Sequence, residues 1–158
     1  MSEQQLDRPQ VHRIVHPPIL ALFFIIVAFL LGGFAHIFPA PATLLRNIGL
    51  ILTFIGLLFG TSAVIELKKA GTTLDPHGSV SQLVSSGIYR ISRNPIYLGY
   101  LMMVIGFPLY SGNYWGILTA PLFAGTMNRL VIEKEEAHLE GRFQKQYAVY
   151  RSRVRRWL

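Results

Sequence analysis

Along the chain, long apolar stretches alternate with short polar clusters, and their lengths constrain what they can build. The hydrocarbon of a bilayer is about 30 Å thick and a helix rises about 1.5 Å per residue, so a span needs roughly 20 apolar residues. Residues 17–38 and 47–65 contain no Asp, Glu, Lys or Arg, and each predicts a transmembrane helix. Between them Pro39-Ala40-Pro41-Ala42-Thr43 supplies two prolines, which predicts a tight helical hairpin. Ala40-Pro41-Ala42 imitates a signal-peptidase site, but the apolar run before it is longer than the usual signal core of about 7 to 15 residues, so an uncleaved span is expected. Residues 96–110 form a shorter apolar run, Ser111-Gly112-Asn113 a turn, and residues 115–132 a returning run, which predicts a second hairpin. The expected architecture is an all-α integral membrane protein: four transmembrane helices in two hairpins, one membrane domain over residues 1–158.

Past Ile132 the helical pattern continues. Leu139, Phe143, Tyr147 and Tyr150 recur on one helical face while Glu136, Glu140 and Lys145 lie off it, predicting a cytoplasmic amphipathic helix over residues 133–150 that packs back on the membrane-proximal core. The sequel, residues 151–158, reads as an interfacial anchor, its arginines at lipid headgroups and Trp157 at the polar–apolar boundary. In the second span Gly49, Thr53, Gly56 and Gly60 make a stripe of small residues, which favours close helix packing inside the monomer over a dimer seam.

Composition sharpens this picture. The chain is 51% hydrophobic with a formal charge of +7. Its basic residues sit at the ends of apolar runs, a distribution suited to an anionic membrane surface rather than to nucleic acid. Arg8 and Arg13 precede the first span, Lys68, Lys69, Arg90 and Arg93 fall between the second and third, and the tail is arginine-rich, whereas Arg46 stands alone on the other side. The positive-inside rule therefore predicts cytoplasmic termini and a cytoplasmic middle loop. With no recognisable targeting signal and short loops, a bacterial inner membrane is expected. The absence of cysteine excludes thiol chemistry, and His12, His16, His36, His77 and His138 lack ligand spacing, so no metal site is expected.

Polar residues concentrate in two places on the predicted cytoplasmic side. In the first, Asn94 is suited to N-cap the third helix and Pro95 to begin it. With Arg90 and Arg93 nearby, that helix start would suit a carboxylate or phosphate, but from these features alone the plainer reading, a capped helix end with arginines at lipid headgroups, is favoured. In the second, Arg129 lies near the end of the fourth span, four residues before Glu133 and in reach of an ordinary ion pair. Glu135 and Glu136 follow. Being consecutive on a helix they point in different directions, so they do not form an acid–base pair on one bond. Either can accept hydrogen bonds from ribose hydroxyls or hold an ammonium group.

The runs Leu83-Val84-Ser85-Ser86-Gly87-Ile88-Tyr89, Arg93-Asn94-Pro95-Ile96-Tyr97-Leu98-Gly99, Glu135-Glu136 and Phe143-Gln144-Lys145-Gln146-Tyr147-Ala148-Val149-Tyr150, preceded by Gly71-Thr72-Thr73, resemble in order and spacing the isoprenylcysteine carboxyl methyltransferase and phospholipid N-methyltransferase group of membrane enzymes. The resemblance covers roughly the last ninety residues. It implies an S-adenosyl-L-methionine site between the second helix pair and the tail, with Gln82, Leu83, Val84, Tyr89, Asn94, Pro95, Ile96, Tyr97, Glu135 and Glu136 as cofactor-binding positions. It places Arg129 near an arginine assigned to substrate, and Arg93 is a second substrate-binding candidate. Two departures stand out: Asn94 replaces the usual histidine, which excludes proton transfer there, and Gln144 replaces the usual glycine. No catalytic acid or base is singled out. The acceptor implied is a membrane-embedded lipid, or an isoprenylcysteine-like carboxylate or amine. The alternatives are a nicotinamide-dependent membrane reductase of sterol-reductase type, whose helix start is similar, and a non-enzymatic adaptor. The Glu133, Glu135 and Glu136 cluster opposes a phosphorylated dinucleotide and favours a cationic cofactor.

Overall fold

A computed structural model describes residues 16–34, 43–71 and 82–158. Arg8, Arg13, His12, His36, His77, Thr72, Thr73, the last residues of the first predicted span and the proline-rich stretch before Thr43 lie outside them. The described residues are helical or irregular, with no strand among them. Helix α1 runs Pro17–Phe34 and α2 Thr43–Lys69. A single 3₁₀ turn, Gly87–Arg90, precedes α3 at Pro95–Tyr110. Helix α4, Trp115–Met127, passes through a π-turn at Asn128–Ile132 into α5, Glu133–Arg153.

Helices α1 and α2 are each long and apolar enough to cross a bilayer. Their surfaces agree with that reading: Leu22, Phe23, Ile26 and Leu30 on α1, and Ile51, Phe54 and Leu58 on α2, face outward. Water-soluble chains seldom leave so much contiguous apolar surface uncovered. At 27 residues, α2 is roughly 40 Å long, more than the hydrocarbon needs.

The closest helix pairing is α2 on α3, and glycines make it. A methyl group at Gly56 would stand 2.6 Å from the Gly99 carbonyl oxygen, one at Gly99 2.5 Å from that of Gly56, and one at Gly106 2.6 Å from that of Gly49. The small-residue stripe of α2 is thus spent inside the monomer, as expected, although a methyl at Gly60 would meet nothing. Helix α1 packs instead on α3 and α4. Phe24 meets Phe123 edge-on at 5.6 Å, and Asn113 Nδ2 donates to the Ala28 carbonyl at 2.8 Å. The first hairpin is therefore not a packed pair: α1 and α2 barely touch, both lie against α3, and α1 alone also packs on α4. The physical reason is that the glycine-lined face of α2 fits the glycines of α3, whereas α1 offers aromatic and alanine knobs that fit the wider α4 surface.

The amphipathic helix is present and longer than expected, with Tyr147 and Tyr150 buried and Leu139 and Phe143 packed against them. It is broken at Gln144, whose φ of 39° and ψ of −110° are not helical. Beyond Arg153 the chain turns extended at Val154 and runs back to the start of α3.

Candidate functional site

Three segments meet where α3 begins. The Arg93 N–H donates to the Arg155 carbonyl at 2.9 Å. Ser92 Oγ and Asn94 Nδ2 both donate to the Arg156 carbonyl at 3.1 Å, while Ser92 Oγ accepts from the Asn94 N–H at 3.1 Å. The tail is therefore a strap across the helix start rather than a free anchor. Trp157 packs on the cluster containing Tyr97, Met127 and Ile132. Asn94 does occupy the N-cap position, but its side chain makes no capping bond. That corrects the sequence expectation: the Asn94 amide is engaged by the strap instead of accepting from the N–H groups of the first helical turn.

The two consecutive glutamates have opposite fates. Glu136 is buried, and both its oxygens are taken: Oε1 accepts from Arg156 Nε at 3.2 Å and pairs with the Arg93 Nη2 charge at 3.2 Å, and Oε2 accepts from Arg156 Nη2 at 2.6 Å. This bidentate pairing raises the Arg156 pKa further, chiefly through the hydrogen bond to Glu136. Glu135 has only a neutral partner, accepting from the Tyr97 hydroxyl at 2.5 Å. Among the described residues no cation pairs with it. Burial pushes its carboxyl above the ordinary 4.5, the Tyr97 bond opposes the rise and the charge of Glu136 adds to it. Tyr89 lies near enough to feel the Glu135 charge, and burial chiefly, with Tyr150 and Glu135, pushes its phenol upward.

Around these groups Leu83, Val84, Ile88 and Ile96 pack against Tyr89, Tyr147 and Tyr150, and the Tyr150 hydroxyl donates to the Tyr89 carbonyl at 2.7 Å. Of the sequence-predicted positions, Leu83, Val84, Tyr89 and Ile96 thus share one cluster, Tyr97 joins Glu135, and Asn94 and Pro95 sit under the strap. Gln82 is exposed at the edge of the described segment. Arg93 is held by Glu136 and donates from Nη1 to Tyr147 Oη at 3.2 Å, while its buried Nε has no partner. Arg129 is exposed and stands apart. The expected Arg129–Glu133 pair does not form, because the π-turn replaces the i,i+4 register on which it depends.

The sequence reading passed over Glu66 and misplaced Arg156. Glu66 sits in the last turns of α2, accepting from Lys69 Nζ at 3.1 Å and Ser86 Oγ at 3.0 Å, with Gly87 (φ 56°) pressed against it. A lone carboxylate at the end of an acid-free helix was the available signal. Arg156 had none, since an arginine in a basic tail reads the same whether it faces lipid or a buried acid.

Chemically, the arrangement is a partly buried carboxylate with no counter-cation among the described residues, bordered by a phenol and apolar side chains, near an arginine with one unused donor. It suits a ligand carrying positive charge next to hydrogen-bonding groups. The sequence signature of a family described as phospholipid methyltransferase matches residues 45–146, leaving α1 and the strap outside. Protein-S-isoprenylcysteine O-methyltransferase B of Arabidopsis thaliana is 30% identical over 118 residues, 70% of this chain and 57% of the plant protein. The chain therefore spans little more than half the length of that relative. An uncharacterized protein of Haemophilus influenzae is 35% identical over 63 residues, 40% of this chain and 100% of that protein. No solved structure matches the chain significantly.

Proposed function

This chain belongs to the phospholipid methyltransferase family, and on that premise we propose that it transfers a methyl group from S-adenosyl-L-methionine to a membrane-embedded lipid or isoprenylcysteine-like acceptor. The observation that carries the reading is Glu135, a partly buried carboxylate that no cation among the described residues pairs with. A buried charge left unpaired is costly, and a cationic cofactor with ammonium and ribose donors would satisfy it. A phosphorylated nicotinamide cofactor would instead place negative charge beside it, which disfavours the reductase alternative. When bound, the cofactor supplies an electrophilic methyl on sulfur.

The chain's own residues hold and shield. Glu135 accepts from the cofactor's donors, with Tyr97 fixing the carboxylate's orientation, and Leu83, Val84 and Ile96 exclude water, so positioning and desolvation supply the acceleration. A carboxylate acceptor arrives ionised and needs no base. An amine acceptor must lose a proton. Tyr89, held neutral by burial, is a poor base for it. The helices are proposed to cross the membrane four times, with both termini and this site on the cytoplasmic side. The test is cofactor retention: the chain purified in detergent, then denatured and extracted, should yield S-adenosyl-L-methionine or its demethylated product by mass spectrometry. Recovery of a nicotinamide nucleotide instead would overturn the reading.

A further inference from the structure

On the outer side of the same loop, a cleft of about 860 Å³ opens between residues 83–90 and the second half of α5. Arg90 stands on one wall, Lys145 and Arg153 on the other, and no acidic side chain lines it. Among the described residues none of these three cations has an ion-pair partner, whereas Lys69, Arg93, Arg151 and Arg156 are each matched to a glutamate. The cations come from segments more than fifty residues apart in sequence, so their convergence is a product of the fold. Between them the lining is apolar: Leu83, Val149 and Val154.

We infer that this cleft is a binding site for an anionic phospholipid, its phosphate held by Arg90, Lys145 and Arg153 and the start of its acyl region against Val149 and Val154. Two arguments select a lipid. Arginine and lysine converging without an acid complement a phosphodiester, and a free phosphate would have no use for the apolar wall. The location agrees: the loop is pinned through Ser86 to Glu66 at the end of α2, where a helix longer than the hydrocarbon reaches headgroup depth. The inference rests on the membrane-spanning reading but not on methyl transfer, and its test needs neither cofactor nor acceptor.

The experiment is native mass spectrometry of the detergent-purified chain with equimolar dioleoyl phosphatidylglycerol and dioleoyl phosphatidylcholine. The native chain should retain phosphatidylglycerol with roughly tenfold preference, a conservative figure for three cations at a screened surface. Joint replacement Arg90→Gln, Lys145→Gln and Arg153→Gln should abolish that preference. Val149→Trp, which crowds the apolar wall beside Leu83 and Val154 and leaves every charge in place, should do the same. Arg142→Gln removes an exposed cation outside the lining and should retain the native preference. Equal retention of both lipids by the native chain, preference surviving the triple replacement or Val149→Trp, or equal loss in Arg142→Gln would each overturn the site. So would full displacement of the lipid by millimolar inorganic phosphate, which would mark a simple anion site.

Discussion

Side chains one position apart do different work here, and charge pairing explains why. Glu136 is committed to Arg93 and Arg156, so it holds the strap, while Glu135 accepts only from the neutral Tyr97 hydroxyl and is the residue proposed to meet the cofactor. Glu135→Gln keeps the shape and removes the charge. It should weaken S-adenosyl-L-methionine binding by about 1.5 to 3 kcal/mol, the usual range for a hydrogen bond to a charged group, and calorimetry showing unchanged affinity would take Glu135 out of the site. The pH dependence follows from the same residue. A cation binds the carboxylate form, so affinity is full above the Glu135 pKa and is lost as pH falls through it. Because burial raises that pKa above 4.5, the loss should begin at a higher pH than an ordinary glutamate would give, and should vanish in Glu135→Gln. Gln144 is a second telling residue. Its φ of 39° and ψ of −110° are a conformation that glycine adopts freely and a side chain does not. The position is the one where the resembling family carries glycine. Gln144→Gly should raise the thermal midpoint in detergent, by an amount equivalent to about 1 kcal/mol; a fall would show that α5 does not break there.

At the scale of elements, glycine decides which helices meet. Gly99→Ala would drive a methyl against the Gly56 carbonyl and should destabilise by about 1 to 3 kcal/mol, the typical effect of overpacking. Gly60→Ala, in the same GxxxG motif but facing open space, should be neutral or mildly stabilising. Equal effects in a thermal-shift assay would refute the α2–α3 interface. This contrast also marks how far the sequence could be read. The helix positions, the turn at Ser111 to Asn113 and the apolar face of α5 were legible, because length, charge-free runs and periodicity act locally. Partner choice was not: the stripe on α2 is visible in sequence, but its match to Gly99 and Gly106, and the consequent separation of α1 from α2, depend on the relative rotation of whole helices. The strap was hidden for a similar reason. Besides the Arg156–Glu136 pair and the packing of Trp157, its contacts run through the carbonyls of Arg155 and Arg156, and backbone acceptors carry no sequence signal. Within the site, the Tyr97–Glu135 pairing joins two motifs that the resemblance had named separately, whereas Glu66 belonged to neither.

For the molecule as a whole, charge and shape bear on the same question of orientation. Helix α3 has the strap and the glutamates at its Asn94 end and the short turn to α4 at its Ser111 end, so the site lies wholly to one side. On the Ser111 side Arg46 donates from Nε to the Tyr110 carbonyl at 3.1 Å, satisfying one of the free carbonyls at the end of α3. It acts there as a local helix cap and opposes the arginine-rich side only weakly as a topological signal. Lys68 and Lys69 end α2 and Arg151 and Arg153 end α5, and on the proposed topology the positive-inside rule predicts that this face is cytoplasmic. A fluorescent protein that matures only in the cytoplasm, fused to the carboxyl end, should therefore fluoresce, and the same reporter inserted after Ser111 should stay dark. Alkaline phosphatase, active only outside the cytoplasm, should give the reverse. The opposite pattern for both reporters would invert the protein and place the Glu135 site beyond reach of a cytoplasmic cofactor. Signal from the fluorescent reporter at both positions would show that α3 does not cross the membrane, leaving α1 and α2 as the only spans.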